Sequence, residues 1–268
     1  MNRKIWLFLV VLFAPTPPVF SQQPPPDYFK FTCVKIQPGK ANELERFHET
    51  MRRVVQADAD TGGISGAYLL RTIFPEGAES RCDYISINSF SGVPPAPRGK
   101  DRLNMLLQKA GVPMTADEYV EKRADLLRAI SVELWRAVVF MGNMQKGDYL
   151  YLNFMKVHDL PAYTAFEKQV RRPVAQSLLE DGTFHAWFAM TVDLPEGTGL
   201  PYQFVTADIF PLWEKAVAGA DDPGAFKKVH PDMDYNASEV KLAQMRDLDR
   251  RYFLVVEDVV LPSAKAQP

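Results

Sequence analysis

The short motifs that mark hydrolases and nucleotide enzymes are missing. There is no G-x-S-x-G, no P-loop and no G-x-G-x-x-G, which sets aside nucleophile-elbow hydrolysis, phosphate cradling and dinucleotide binding. Cysteine is scarce: Cys33 and Cys82 are the two in 268 residues, too few for a disulfide scaffold or a structural zinc site. The four histidines, His48, His158, His185 and His230, form no H-x-x-x-H pair and no carboxylate cluster joins them, so no metal site is expected. Excess charge of one sign is lacking too. A formal net charge of −2 gives no general attraction to nucleic acid or to an anionic membrane.

What the sequence does have is itself, twice. Asp27-Tyr28 is matched by Asp148-Tyr149, Arg52-Arg53 by Arg171-Arg172, and Phe74-Pro75-Glu76-Gly77 by Leu194-Pro195-Glu196-Gly197. Tyr84 to Phe90 corresponds to Phe204 to Phe210. The offsets are 121 (148 − 27), 119 (171 − 52) and 120 (195 − 75). A repeat of this length is a whole small domain rather than a solenoid unit. The repeats are expected at 27–142 and 147–260, with a short polar linker between them.

The ends lie outside this pattern. Arg3 and Lys4 precede a short apolar core, Ile5 to Phe13, and Val19-Phe20-Ser21 places small residues for cleavage before Gln22. Residues 1–21 read as a signal peptide, with an uncleaved anchor as the alternative. The apolar run falls short of the roughly 20 residues that span a bilayer, so no stable membrane span is expected after cleavage. Export to the periplasm or the medium follows from this reading. Residues 22–26 read as a proline-rich spacer, and residues 261–268 as a disordered tail.

Within each repeat the hydrophobic period alternates between strand and helix. Phe29 to Ile36 is rich in aromatic and β-branched residues and ends at Pro38-Gly39, which predicts a strand. From Ala41, Leu44, Phe47, Met51, Val54 and Val55 fall on one helical face. Strands are expected at Ile64 to Phe74, Asp83 to Phe90 and Ser131 to Met141. A helix starts after the Thr115/Glu118 capping-box pair. The second copy repeats this order, with Pro173 expected to kink its first helix and a last helix expected over Ser238 to Asp249. The arginine pairs on the two first helices read as solvated, pairing with nearby glutamates.

The order β-α-β-β-α-β is the ferredoxin-like arrangement. Helices cover one face of such a sheet, and the other carries large residues such as Phe31, Tyr68, Trp187 and Phe204, so it needs a partner. The fold class is therefore α+β: two tandem ferredoxin-like repeats packed sheet to sheet within one chain. This duplicated pattern resembles the dimeric α/β-barrel superfamily with its two copies fused. Trp187, Pro195-Glu196-Gly197, Tyr202 and Thr206 resemble exported bacterial members of that superfamily. The resemblance implies a barrel completed by one chain, so a monomer suffices. It also implies a small-molecule site between the sheets, since haem-linked enzymes, monooxygenases and isomerases are among the superfamily's members.

The candidate ligand residues are His185, Trp187, Tyr202, Asn153 and Tyr68. His185 and Trp187 alternate along a strand and share a face; Asn153 is a polar residue between Leu152 and Phe154. The expected function is an exported protein binding a small apolar or aromatic molecule between the sheets. The alternative is a cofactor-independent or haem-linked oxidoreductase, and the two differ by whether a buried ionisable group lines the site. Cys33 lies late in the first strand and Cys82 immediately precedes the third, its antiparallel neighbour, where either a disulfide or two buried thiols is consistent with the register.

Overall fold

In the protein's structure, a computed structural model, residues 26–75, 80–96, 99–196 and 200–263 are described. The expected signal peptide falls on residues 1–21, outside the described residues. The first repeat runs β1 (Tyr28–Ile36), α1 (Ala41–Asp60), β2 (Gly66–Phe74), β3 (Tyr84–Phe90), α2 (Lys100–Lys109), α3 (Ala116–Leu126) and β4 (Leu127–Gly142). The second runs β5 (Tyr149–Val157), α4 (Leu160–Phe166), a π turn (Glu167–Arg171), α5 (Arg172–Glu180), β6 (Ala186–Leu194) and β7 (Phe204–Phe210). It ends with α6 (Trp213–Ala218), α7 (Asp222–Val229), α8 (Tyr235–Met245) and β8 (Arg246–Val260).

The strands close into one antiparallel barrel in the order β1-β3-β2-β8-β5-β7-β6-β4. Within each repeat the order is ferredoxin-like, and the two repeats meet at their edges. The long fourth strands make the seams. The first part of β4 pairs with β1 and its last part with β6; β8 pairs first with β5 and then with β2. Closure removes every open sheet edge. It also explains why β8 begins at Arg246, where helical periodicity predicted a helix to Asp249. Those residues gain ladder partners in β5, Arg246 opposite Val157 and Leu248 opposite Met155.

Local signals set the helix ends. The Thr115 hydroxyl accepts from Glu118 N–H at 3.3 Å, and the Glu118 carboxylate accepts from Thr115 N–H at 2.7 Å, a complete capping box. Gly62 and Gly182 take positive φ (69° and 74°) just past α1 and α5, where a side chain would be strained. Pro173 cannot donate to the preceding turn, and the π turn immediately before α5 absorbs the misfit as one extra residue. The repeat offset accordingly rises from 119 before it (166 − 47) to 120 after it (182 − 62).

Two cores result. Inside the barrel lie Phe29, Phe31, Trp135, Leu152, Phe154, Phe188, Tyr202 and Leu254. Outside it, α1–α3 cover the first repeat's sheet and α4–α8 the second's. The tail expected from residue 261 is held at its start, because Gln56 Nε2 donates to Leu261 O at 2.9 Å and Ser263 N–H to Asp60 Oδ1 at 2.7 Å. Among the described residues, no helix is long and apolar enough to cross a membrane.

Candidate ligand groove

The space between the sheets, where the sequence placed a ligand, is filled by side chains. Trp135 stacks on Tyr202 (6.0 Å), and Phe154 lies 4.7 Å from Tyr202 between ring centroids. At one end Glu133, 8% exposed, accepts from Tyr202 Oη at 2.6 Å and from Trp135 Nε1 at 3.2 Å. Burial, and then the bond to Glu133, push the Tyr202 hydroxyl pKa up. The Arg250 guanidinium sits 5.3 Å from the Tyr202 ring centre. A cavity of about 20 Å³ remains beside these residues, room for a single water. Cys33 and Cys82 border it, joined through their sulfurs with Cα atoms 5.3 Å apart. Cys33 itself stands opposite Ile85 in the ladder, so Cys82 reaches it from the turn before β3.

The candidate residues do not converge. Tyr202 and Tyr68 are inside the barrel. Trp187 lies on the outer face, in the core under the second repeat's helices, whereas His185 stands in the bend just before β6, outside the strand along which the two were expected to alternate. His185 Nδ1 meets Asp148 Oδ1 at 2.9 Å, and burial raises the Asp148 pKa against that bond and the Gln145 N–H. Asn153 also faces outward and is fully engaged. It donates to Thr206 Oγ1 and Asp208, both at 3.3 Å, and accepts from Arg251 Nε at 2.6 Å. Of the arginines expected in solvent, Arg53 and Arg172 are exposed, whereas Arg52 and Arg171 are tied to distant acids, Arg52 to Asp258 (3.1 Å) and Arg171 to Asp222 (3.1 Å).

A ligand-sized space lies elsewhere among the described residues, between α1 and the outer sheet face of the first repeat. This groove of about 430 Å³ is within the range of small-molecule sites. Its walls are apolar: Val34, Ile36, Leu44, Met51, Leu69 and Leu127. Its polar groups are Asn42, Glu45, His48, Tyr84, Lys146 and Glu257. His48 Nε2 is 3.9 Å from Asp258 Oδ2, whose carboxylate Arg52 holds. Glu257 is ion-paired with Arg71. Burial first, then the Glu257 carboxylate, raise the Tyr84 hydroxyl pKa, which keeps it a neutral donor.

Closure of the barrel supplies part of this lining. Glu257 occupies a bulge in β8, where the partners of Leu69 and Leu70 in β2 skip from Asp258 to Val256. Bulges of this kind re-aim side chains. The matching bulge of β4 against β6 holds Val138, with Val139 beside it, so the acidic pair belongs to one groove. Sequence reasoning missed this site, although one signal pointed to it. His48 falls four residues after Leu44 and three before Met51, a polar residue on the apolar stripe of α1.

Comparison with known proteins addresses the fold. No family model matches the sequence, and no curated protein does. Among solved structures the chain is similar to a candidate monooxygenase from Fusobacterium nucleatum subsp. nucleatum, with TM-score 0.56 and 6% identity over 88% of this chain and 94% of that one. It is also similar to a candidate monooxygenase from Lactobacillus acidophilus, with TM-score 0.51 and 12% identity over 88% and 97%. Together with the strand order, these likenesses show that the chain has the dimeric α/β-barrel fold, two ferredoxin-like repeats closed into one barrel within a single polypeptide.

Proposed function

We propose that the protein binds a small, mainly apolar molecule in the groove between α1 and the first repeat's sheet. The observation that carries this is the pairing of size with lining: about 430 Å³ bounded by apolar walls with a few polar side chains among them, the pattern of small-molecule sites. Mass spectrometry of protein isolated from its native compartment tests it. A co-purifying small molecule should be present in the wild type and lost when Leu69→Trp fills the groove. Equal retention by that variant would place the ligand elsewhere.

A second reading is oxidation of the bound molecule without a bound cofactor. The fold likeness to two candidate monooxygenases brings it in, and His48 with Tyr84 supplies polar groups beside the apolar walls. Oxygen uptake on adding the co-purified molecule, lost in His48→Ala and Tyr84→Phe, would support it. Haem does not fit the barrel interior, where about 20 Å³ remains. In the groove the one imidazole, His48, directs Nε2 toward Asp258. Added haemin should therefore give no Soret band distinct from that of the free compound.

Export belongs to the same proposal. The basic start and short apolar run of residues 3–13 support cleavage after Ser21. Sequencing of the mature N-terminus should read from Gln22.

A further inference from the structure

The second repeat contains the counterpart of the groove, and there it is occupied by the chain itself. The helical offset of 119 places Tyr163 at the position of Leu44 (163 − 44) and Glu167 at that of His48 (167 − 48). The strand offsets place Met155 at Val34 (155 − 34 = 121) and Phe204 at Tyr84 (204 − 84 = 120). Tyr163 is fully buried. Its ring meets Phe204 edge to face with centroids 4.7 Å apart, and its hydroxyl lies 2.8 Å from Met155 Sδ. In the first repeat the ring is gone: Leu44, Val34 and Tyr84 line open space instead. Leu69 in place of Ala189 takes back some of the room (189 − 69 = 120).

Resting on the groove as the binding site, we infer that its ligand is a single-ring aromatic with a hydroxyl-like substituent, seated where Tyr163 sits in the second repeat. The ring stands edge to face on Tyr84, as Tyr163 stands on Phe204, an arrangement that aromatic pairs favour over saturated contacts. Tyr84 carries a hydroxyl that Phe204 lacks, and among the described residues that hydroxyl has no hydrogen-bond partner. It can therefore answer a polar substituent. One site per chain follows, because the twin position is already filled.

The probe is p-cresol, the side chain of tyrosine as a free molecule, with 4-methylcyclohexanol as its saturated control. Calorimetry on the full chain should show one p-cresol per chain, bound at least tenfold more tightly than the control, with the Met51 methyl resonance shifting on titration. Leu44→Tyr supplies the ring in cis. It should abolish p-cresol binding with a melting temperature no lower than wild type. Tyr163→Leu empties the twin position, and its p-cresol stoichiometry should rise from one to two. Should Tyr163→Leu fail to fold, Leu44→Tyr decides alone. Equal affinity for the saturated control, or undiminished binding to Leu44→Tyr, overturns the inference. A co-purified non-aromatic molecule that Leu69→Trp expels overturns the ligand class and leaves the groove standing. No co-purified molecule and no saturable p-cresol binding at millimolar concentration overturn both.

Discussion

The Tyr202 hydroxyl of the second repeat donates to Glu133 of the first at 2.6 Å inside the barrel. The bond ties the two halves together where no bulk water competes, and Trp135 Nε1 satisfies the other carboxylate oxygen. Tyr202→Phe keeps the ring contacts with Trp135 and Phe154 but leaves a buried carboxylate oxygen without its donor. The expected loss is about 1–3 kcal/mol, the cost of stranding a buried polar atom. Denaturant unfolding checks it. A change below about 0.5 kcal/mol, the scale of an ordinary surface substitution, would mean that water replaces the hydroxyl freely.

The Cys33–Cys82 bond closes a loop 49 residues apart in sequence. Restricting the unfolded chain by a loop of that length stabilises by about 4 kcal/mol on the chain-entropy account. Thiol titration of denatured, unreduced protein should find no free thiol, and reduction should lower the melting temperature. Two free thiols per chain would show that the cysteines stay reduced where the protein resides. The second repeat has Tyr202 at the place of Cys82 (202 − 82 = 120) and folds without a bridge there, so the reduced protein should keep its secondary structure by circular dichroism.

Much of the fold could be read from residue order because the duplication writes each signal twice. The strand expected over Phe29 to Ile36 runs Tyr28–Ile36, and the glycines after both first helices mark equivalent stops. What could not be read is set by closure. Nothing local in Arg246 to Asp249 says strand; β5 supplies their partners from about ninety residues away. Alternation separates Trp187 from Ala186 and Phe188 along β6, yet which face looks inward depends on how β6 joins β4 and β7. The groove was harder still. His48 was visible as a polar break in an apolar stripe, but Glu257 and Asp258 join it from the other end of the chain, 210 residues away (258 − 48).

Trp187 is 2% exposed, on the outer sheet face beneath the second repeat's helices. Its indole therefore contributes to packing, apart from both the barrel interior and the groove. Trp187→Ala should cost about 3–5 kcal/mol, as for other buried aromatic truncations, and leave p-cresol affinity unchanged when measured well below the melting transition. Near wild-type stability would place this side chain in solvent-accessible space and overturn the assignment of the outer face.

Glu167 stands on the π turn at the position of His48, 3% exposed, with Oε2 lacking a hydrogen-bond partner among the described residues. Burial raises its pKa above the ordinary 4.5, although Arg171, the Tyr163 hydroxyl and Arg246 pull the other way. A carboxyl whose folded value is raised favours the folded state fully while the pH is below 4.5, and that stability is lost as the pH rises through the folded value. Glu167→Gln keeps the shape and removes the buried charge. The variant should melt higher than wild type at neutral pH, and the gap should close as the pH falls toward 4.5, where both side chains are neutral. The experiment is a series of melting curves for the two proteins across this range. A gap that stays constant with pH would trace the effect to packing, and a variant less stable at neutral pH would show that Arg171 and Arg246 outweigh the cost of burial.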